Sequence, residues 1–374
     1  MKWSWKLGEI AGIGIFVHWT FPLIIGWVLF EGVGNRETAS ELARGVALVL
    51  AIFACVVLHE LGHALTAKRF GVRTRDITLL PIGGVARLER IPEDPAQEFW
   101  IAIAGPAVNV VIAGVLFVIL LALGGAALAG FDFSLKPGEF LLNLLAINLF
   151  LVIFNLLPAF PMDGGRVLRA VIAHFSGDYV RATQVAASVG QMMAILFGVV
   201  GLFGQQPFLI FIALFVYLGA QEEAHMVQMR SLVRGVPVRE AMMTRIRAIS
   251  PADTLSVVLD ELRAGAQQDF PVVEDGRVLG MLTRQAVMKT LAEGGSDADV
   301  RDVMQTDCGT VEDTEMLDKT FMRMREGGCS SLPVVHDGRL VGLVTLENVG
   351  ELMMIHSSLR RGRARSKVDN VFGE

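Results

Sequence analysis

Hydrophobic positions along this chain follow two regimes. Up to about residue 222 they gather in long runs; beyond it they alternate with polar positions at strand or helix spacing. A bilayer core takes about 20 mostly apolar helical residues. Six stretches are long enough, at 14–31, 43–66, 99–128, 140–160, 183–203 and 207–222. The short polar turn Gly204-Gln205-Gln206-Pro207 joins the fifth to the sixth. The pattern predicts an α-helical polytopic membrane domain of about six transmembrane helices.

The second regime contains an internal repeat. Residues 270–283, FPVVEDGRVLGMLT, match 332–345, LPVVHDGRLVGLVT, at an offset of 62. Each copy reads as a strand, an Asp-Gly hairpin turn and a second strand. Amphipathic helices are predicted before the hairpins, at 254–265 and 316–326, and after them, at 284–293 and 346–355. The chain thus divides into a membrane domain at 1–225, a linker at 226–236, α/β units at 237–293 and 299–355, and a tail at 356–374. The tail carries Arg360, Arg361, Arg363, Arg365 and Lys367; it either rests on anionic lipid or is simply solvated.

Charge sharpens this division. Hydrophobic residues make up 53% of the chain and charged residues 19%, with a mean hydropathy of +0.52; soluble domains carry about 25% charged residues. Through Gly235 there are 16 Lys and Arg against 16 Asp and Glu, and from Val236 onward 17 against 22, so the net charge of −5 sits in the second part. Basic residues occupy alternate loops: Lys2 and Lys6; Lys68, Arg69, Arg73, Arg75, Arg87 and Arg90; Arg166, Arg169 and Arg181; then Arg230, Arg234, Arg239 and Arg245. The intervening loops hold only Arg36 and Lys136. Basic loops stay cytosolic, so both termini are expected there. The N-terminal stretch lacks a small-residue cleavage site and reads as an uncleaved first span. The scattered cysteines, Cys55, Cys308 and Cys329, suggest no disulfide framework and a reducing compartment for the soluble part.

Candidate chemistry lies in the second apolar stretch. Residues 56–64 read VVLHELGHA. In a helix His59 and His63, four apart, share a face and can bind one Zn²⁺, with Glu60 beside them as general base for a water activated by the ion. Such residues inside an apolar segment are costly unless they bind something; the alternative is a polar cluster satisfied by other helices, or an ion path. A catalytic zinc site needs a third protein ligand and an open position. Asp163 is the best-placed candidate, in NLLPAFPMDGGR at 155–166, where Pro158 and Pro161 break the fourth span and Gly164-Gly165 permit a tight turn. Spans two and four run the same way, so Asp163 reaches the depth of the two histidines, near the cytosolic face. Asp163 as an N-cap of the next helix is the other possibility. Cys55 reads as a packing residue, because a fourth ligand would close the site. Asn109, following Gly105-Pro106, reads as structural. His18 reads as a core or interface histidine, and His174, His225, His336 and His356 lack ligand spacing.

HELGH within a span, GPAVN at 105–109 and NLLPAFPMDGGR at 155–166 together resemble the site-2 protease family, over roughly residues 1–225. The resemblance implies that His59, His63 and Asp163 bind one zinc ion per chain and that Glu60 is the catalytic base. It implies a transmembrane helix as substrate, from a single-span regulatory protein such as an anti-sigma factor. Asn155 becomes a candidate donor to the substrate carbonyl or oxyanion, unless it only satisfies broken-helix backbone. A small membrane-associated β-sheet is implied too. Residues 76–89, DITLLPIGGVARLE, suit it, and an exposed edge there would capture unwound substrate by strand addition.

The repeated units resemble a tandem pair of CBS motifs. That resemblance implies pseudo-symmetric pairing, a possible homodimer, regulation of the membrane domain, and clefts for adenine nucleotides. Thr283, Thr345 and Asn348 are the matching nucleotide-binding candidates. The ribose-binding Asp of the pattern is Ala286 in one copy and Asn348 in the other, and only Asn348 can still hydrogen-bond a ribose hydroxyl. The bilayer is an expected partner and nucleic acid is not. Two other functions stay open: a CBS-regulated transporter or channel, and a membrane zinc peptidase acting on soluble peptides.

Overall fold

The computed structural model describes residues 4–81, 83–88, 92–124, 139–265, 267–293, 295 and 298–355. The basic tail expected at 356–374 lies outside the described residues. The chain forms two compact units, Met1–His225 and Met226–Glu374.

The first unit contains β1 (Ser4–Ile10), β2 (Ile13–His18), α1 (Pro22–Gly34), α2 (Ala39–Arg69), β3 (Thr74–Leu80), β4 (Gly83–Leu88), α3 (Pro95–Ala122), α4 (Phe140–Asn155), α5 (Asp163–Ser176) and α6 (Tyr179–Phe203). α7 (Pro207–Leu232) begins in this unit and ends in the second. Helices α2, α3, α6 and α7 are long and apolar enough to cross a membrane; α1 and α4 are apolar but shorter, at 13 and 16 residues. A capping box at Thr38 and Glu41 starts α2, and Asp94 caps α3.

The first expected span, 14–31, needs correction. Its opening residues are strand β2, not helix. Ile13, Ile15 and Val17 are buried and alternate with half-buried neighbours. This period-2 signal is submerged in a run that is mostly apolar. Ala11 and Gly12, both at positive φ (55° and 84°), form the turn that folds β2 back on β1.

The hairpin expected at 76–89 exists as β3–β4, within a larger sheet. The strand order is β1-β2-β3-β4, with β2 parallel to β3 and the other pairs antiparallel. β3 is therefore internal and β4 is an edge. Ile13 and Ile77 of the sheet pack with Leu61 and Ala64 of α2, and Val57 and Ala86 join them. The sheet is thereby held against the helix carrying both histidines. On α2, a Cβ at Gly62 would lie 2.8 Å from the Ala104 carbonyl oxygen. Glycine there lets α2 and α3 cross in backbone contact.

The second unit contains α8 (Leu255–Ala264), β5 (Phe270–Glu274), β6 (Arg277–Leu282), α9 (Arg284–Ala292), α10 (Val300–Val303), β7 (Val311–Glu312), α11 (Leu317–Gly327), β8 (Ser331–His336) and β9 (Arg339–Thr345), and residues 346–355 are helical. Both Asp-Gly turns have positive φ at both central residues: Asp275 and Gly276 at 52° and 80°, Asp337 and Gly338 at 50° and 76°. Primed turns of this kind match strand twist. The two hairpins carry a bulge at equivalent points, Val272/Val273 and Val334/Val335.

The repeats also exchange short segments. Gln305, entering the second repeat, bridges to Met281 of the first, and Met243, entering the first, bridges to Leu343 of the second. Gly280 and Gly342 make this possible: a Cβ at either would lie 2.6 or 2.7 Å from the carbonyl oxygen of Gln305 or Met243. Asp269 ties the repeats at a further point. Its carboxylate accepts from Ser330 Oγ (2.8 Å), Ser331 Oγ (2.7 Å) and the Arg284 amide (2.9 Å). Asp269→Ala removes the acceptor of three donors, of which Ser331 Oγ is buried, and is expected to destabilise the full-length protein by about 1–3 kcal/mol, read as lower thermal or denaturant resistance.

The expectation of a disulfide-free chain is also corrected. Cys308 and Cys329, 21 residues apart, are bonded with Cα atoms 6.2 Å apart. The fold of the second repeat brings them together; their linear spacing carries no such signal.

Candidate metal centre

α2 supplies two imidazoles one turn apart, and α5 supplies Asp163 as its first residue. All three are buried, with 5–8% of their surface exposed. Asp163 Oδ2 lies 3.2 Å from His59 Nε2 and 3.1 Å from His63 Nε2, and the two Nε2 atoms are 3.1 Å apart. Asp163 is therefore at a helix start, as its alternative role required, but Met162 occupies the N-cap position and the carboxylate faces the rings.

The outer nitrogens decide what the inner ones can do. His63 Nδ1 faces the Ile101 carbonyl oxygen at 2.6 Å, and His59 Nδ1 faces Asn109 Oδ1 at 2.6 Å. Both partners are acceptors, so in each neutral imidazole Nδ1 carries the proton and Nε2 presents a lone pair. Two lone pairs and a carboxylate oxygen then meet with no proton to share among them. A divalent cation resolves that conflict. Tetrahedral bonds of about 2.0–2.1 Å place neighbouring ligand atoms about 3.3 Å apart, close to the distances found. Among the described residues this is the cluster of metal-ligating side chains able to hold an ion.

Three glycines shape the site. A Cβ at Gly105 of α3 would lie 2.2 Å from His63 Nε2 and 2.7 Å from His59 Nε2, so only hydrogen fits against the rings. A Cβ at Gly164 would lie 2.2 Å from the Leu157 carbonyl oxygen, and one at Gly165 would lie 2.6 Å from the Phe160 nitrogen. The Gly164-Gly165 pair, expected to serve a tight turn, instead lets the first turn of α5 seat against residues 156–160. Arg166 lies 3.9 Å from Asp163 Oδ1 and 3.9 Å from Glu98 Oε1. Arg169 is fully buried, donates to Glu98 through Nε at 3.0 Å and also bonds Glu223.

Glu60 follows His59 on α2 and is half-buried outside the three-residue cluster. It faces the edge strand: a Cβ at Gly84 of β4 would be 2.7 Å from Glu60 Cγ and 3.3 Å from Oε1. Asn155 is the half-buried last residue of α4. Thr283 caps α9 by accepting from the Ala286 amide, and Thr345 both accepts from the Asn348 amide and donates to Asn348 Oδ1. His18 bonds Thr20 Oγ1 at 2.8 Å, outside the cluster. Asn109, read as structural from the sequence, instead contacts a ligand candidate directly. Its signal lay in GPAVN, where the glycine and the asparagine, four apart, share the α3 face turned toward the histidines.

The model of Peptidase family M50 matches residues 47–138 and 134–199, and the CBS domain model matches 238–293 and 300–353. A zinc metalloprotease of Methanocaldococcus jannaschii is 32% identical over 355 residues, which cover 95% of this chain and 97% of that protein. The chain belongs to Peptidase family M50. A Mycobacterium tuberculosis protein, Rip3, is 29% identical, over 95% of this chain and 94% of its own length. A solved structure titled as the site-2 protease from Methanocaldococcus jannaschii is 38% identical, spans 59% of this chain and 95% of that one, and has a TM-score of 0.44. This M50 peptidase is thus a multi-pass membrane zinc metalloprotease with a tandem CBS pair. Membership sets aside the transporter or channel alternative.

Proposed function

We propose that this M50 peptidase cleaves a transmembrane segment of a single-span regulatory protein, near the cytosolic side of the bilayer. The observation that carries the proposal is the convergence of His59 Nε2 and His63 Nε2, on the spanning helix α2, with Asp163 Oδ2 at the start of α5. These three residues would hold a zinc ion. Zinc in such a site acts as a Lewis acid and lowers the pKa of water towards neutrality. Glu60 takes the proton of the attacking water and passes it to the departing amide nitrogen. Asn155, eight residues before Asp163, donates to the substrate carbonyl oxygen as negative charge grows there.

A helix hides its amide bonds, so the substrate must unwind before cleavage. β4 is the edge of its sheet and lies beside Glu60. An extended substrate strand added to β4 runs past the catalytic carboxylate. Of the two strands of the hairpin expected at 76–89, β4 is the one that offers this edge, since β3 is already paired on both sides. The excess of basic residues in alternate loops supports cytosolic termini and an active site near that face.

The CBS pair regulates the protease and offers a dimer contact. Thr283, Thr345 and Asn348 sit at the helix starts where a nucleotide would meet the repeats. An adenine nucleotide bound there must compete with the local caps these residues already make.

The test is cleavage in reconstituted vesicles, offering the full-length protein both a membrane-embedded single-span protein and a soluble peptide of the same sequence. Cleavage restricted to the embedded form is expected. Equal turnover of the soluble peptide would instead favour the membrane zinc peptidase with soluble substrates.

A further inference from the structure

We infer that Asn148 is a positioning residue for the zinc centre, acting through Asn109 on His59. The inference deepens the proposed metal centre and rests on it.

The two histidines are held in their metal-binding tautomer by different means. His63 is fixed by a backbone acceptor, the Ile101 carbonyl. His59 is fixed by a side-chain amide, and an amide can turn over. If Asn109 flipped, its NH₂ would face His59 Nδ1. The ring would then carry its proton on Nε2 and lose its ligand lone pair.

A chain of polar groups inside the helix bundle prevents the flip. Asn109 Nδ2 donates to Asn148 Oδ1 at 2.9 Å. Asn148 Nδ2 donates to the Leu144 carbonyl oxygen at 2.8 Å and reaches Cys55 Sγ at 3.5 Å. The Leu144 carbonyl can only accept, so it fixes which end of the Asn148 amide is NH₂. That in turn fixes Asn109, and Asn109 fixes His59. Direction passes from a backbone carbonyl of α4, through two side chains, to a ligand on α2. Asn109 and Asn148 are both fully buried, where no water can substitute for a lost partner. Cys55, one turn before His59, takes part through its sulfur as a weak acceptor and not as a metal ligand.

The test compares three full-length variants. Asn148→Leu removes the acceptor for Asn109. Asn148→Ser is too short to reach Asn109 but can still bond the Leu144 carbonyl. Asn148→Asp keeps an oxygen where Asn109 needs it. Zinc affinity is measured by competition with a chromophoric chelator, alongside the visible spectrum of the Co²⁺-substituted protein. Asn148→Leu and Asn148→Ser are expected to bind zinc about 10- to 100-fold more weakly with altered Co²⁺ bands, and Asn148→Asp to stay within about threefold of wild type. If Leu abolishes folding, the Ser and Asp pair decides. Equal affinities in Ser and Asp, whether unchanged or equally reduced, would overturn the relay while wild-type zinc binding stands. A wild type that binds no zinc would overturn the metal centre and the relay together.

Discussion

Glu60→Gln is expected to lower cleavage of a membrane-embedded substrate by about 10²- to 10⁴-fold while leaving about one zinc ion per chain. The two halves of this result come from one geometry. Glu60 is adjacent in sequence to His59 but is not part of the ligand cluster, so the metal does not depend on it. Its side chain instead packs beside Gly84, on the edge strand proposed to receive substrate. Glutamine keeps the volume and a hydrogen-bonding head but cannot take up a proton near neutral pH. Turnover and metal content measured on the same preparation check both halves. Loss of zinc along with activity would mean that Glu60 helps hold the metal. Turnover close to wild type would remove it as the base.

Gly105→Val is expected to abolish metal binding, with zinc affinity falling at least about 100-fold. Any Cβ at 105 enters the space between the rings, 2.2 Å from one ligand nitrogen and 2.7 Å from the other. Neither ring can retreat freely, because each Nδ1 is tied by a 2.6 Å hydrogen bond. The α3 backbone must move, and with it Ile101 and Asn109, the two acceptors that orient the rings. Gly114, on the same helix, provides the control, since a Cβ there meets nothing within 4 Å. Gly114→Val should retain zinc. Equal loss in both variants would indicate a general effect on the helix.

The sequence exposed those features whose geometry is local. HELGH has a spacing that one helical turn converts directly into a shared face. The Asp-Gly turns and the 62-residue repeat likewise yield hairpins whose turns have the expected φ signs. Asp163 was reachable because its depth follows from the direction of the span before it. What remained hidden depends on long-range pairing. β2 lies inside an apolar run that reads equally well as helix, and only its partner β3, some 60 residues on, makes it a strand. Asn148 carries no motif, and its importance comes from contacts 39 and 93 residues away. The Cys308–Cys329 bond depends on how α11 returns the chain after it leaves α10. The glycines at 280 and 342 look like ordinary strand positions in sequence, while the structure has them admit a neighbouring backbone.

X-ray absorption at the zinc edge, on full-length wild type and Asp163→Ala, probes the metal assignment most directly. The account predicts stoichiometric zinc in the wild type, coordinated by nitrogen and oxygen at about 2.0–2.1 Å, with two imidazoles in the outer-shell scattering. Asp163→Ala should lose most of its zinc, with the imidazole pattern unchanged in any ion that remains. A sulfur ligand near 2.3 Å, or an unaltered spectrum and full zinc content in Asp163→Ala, would contradict the assignment.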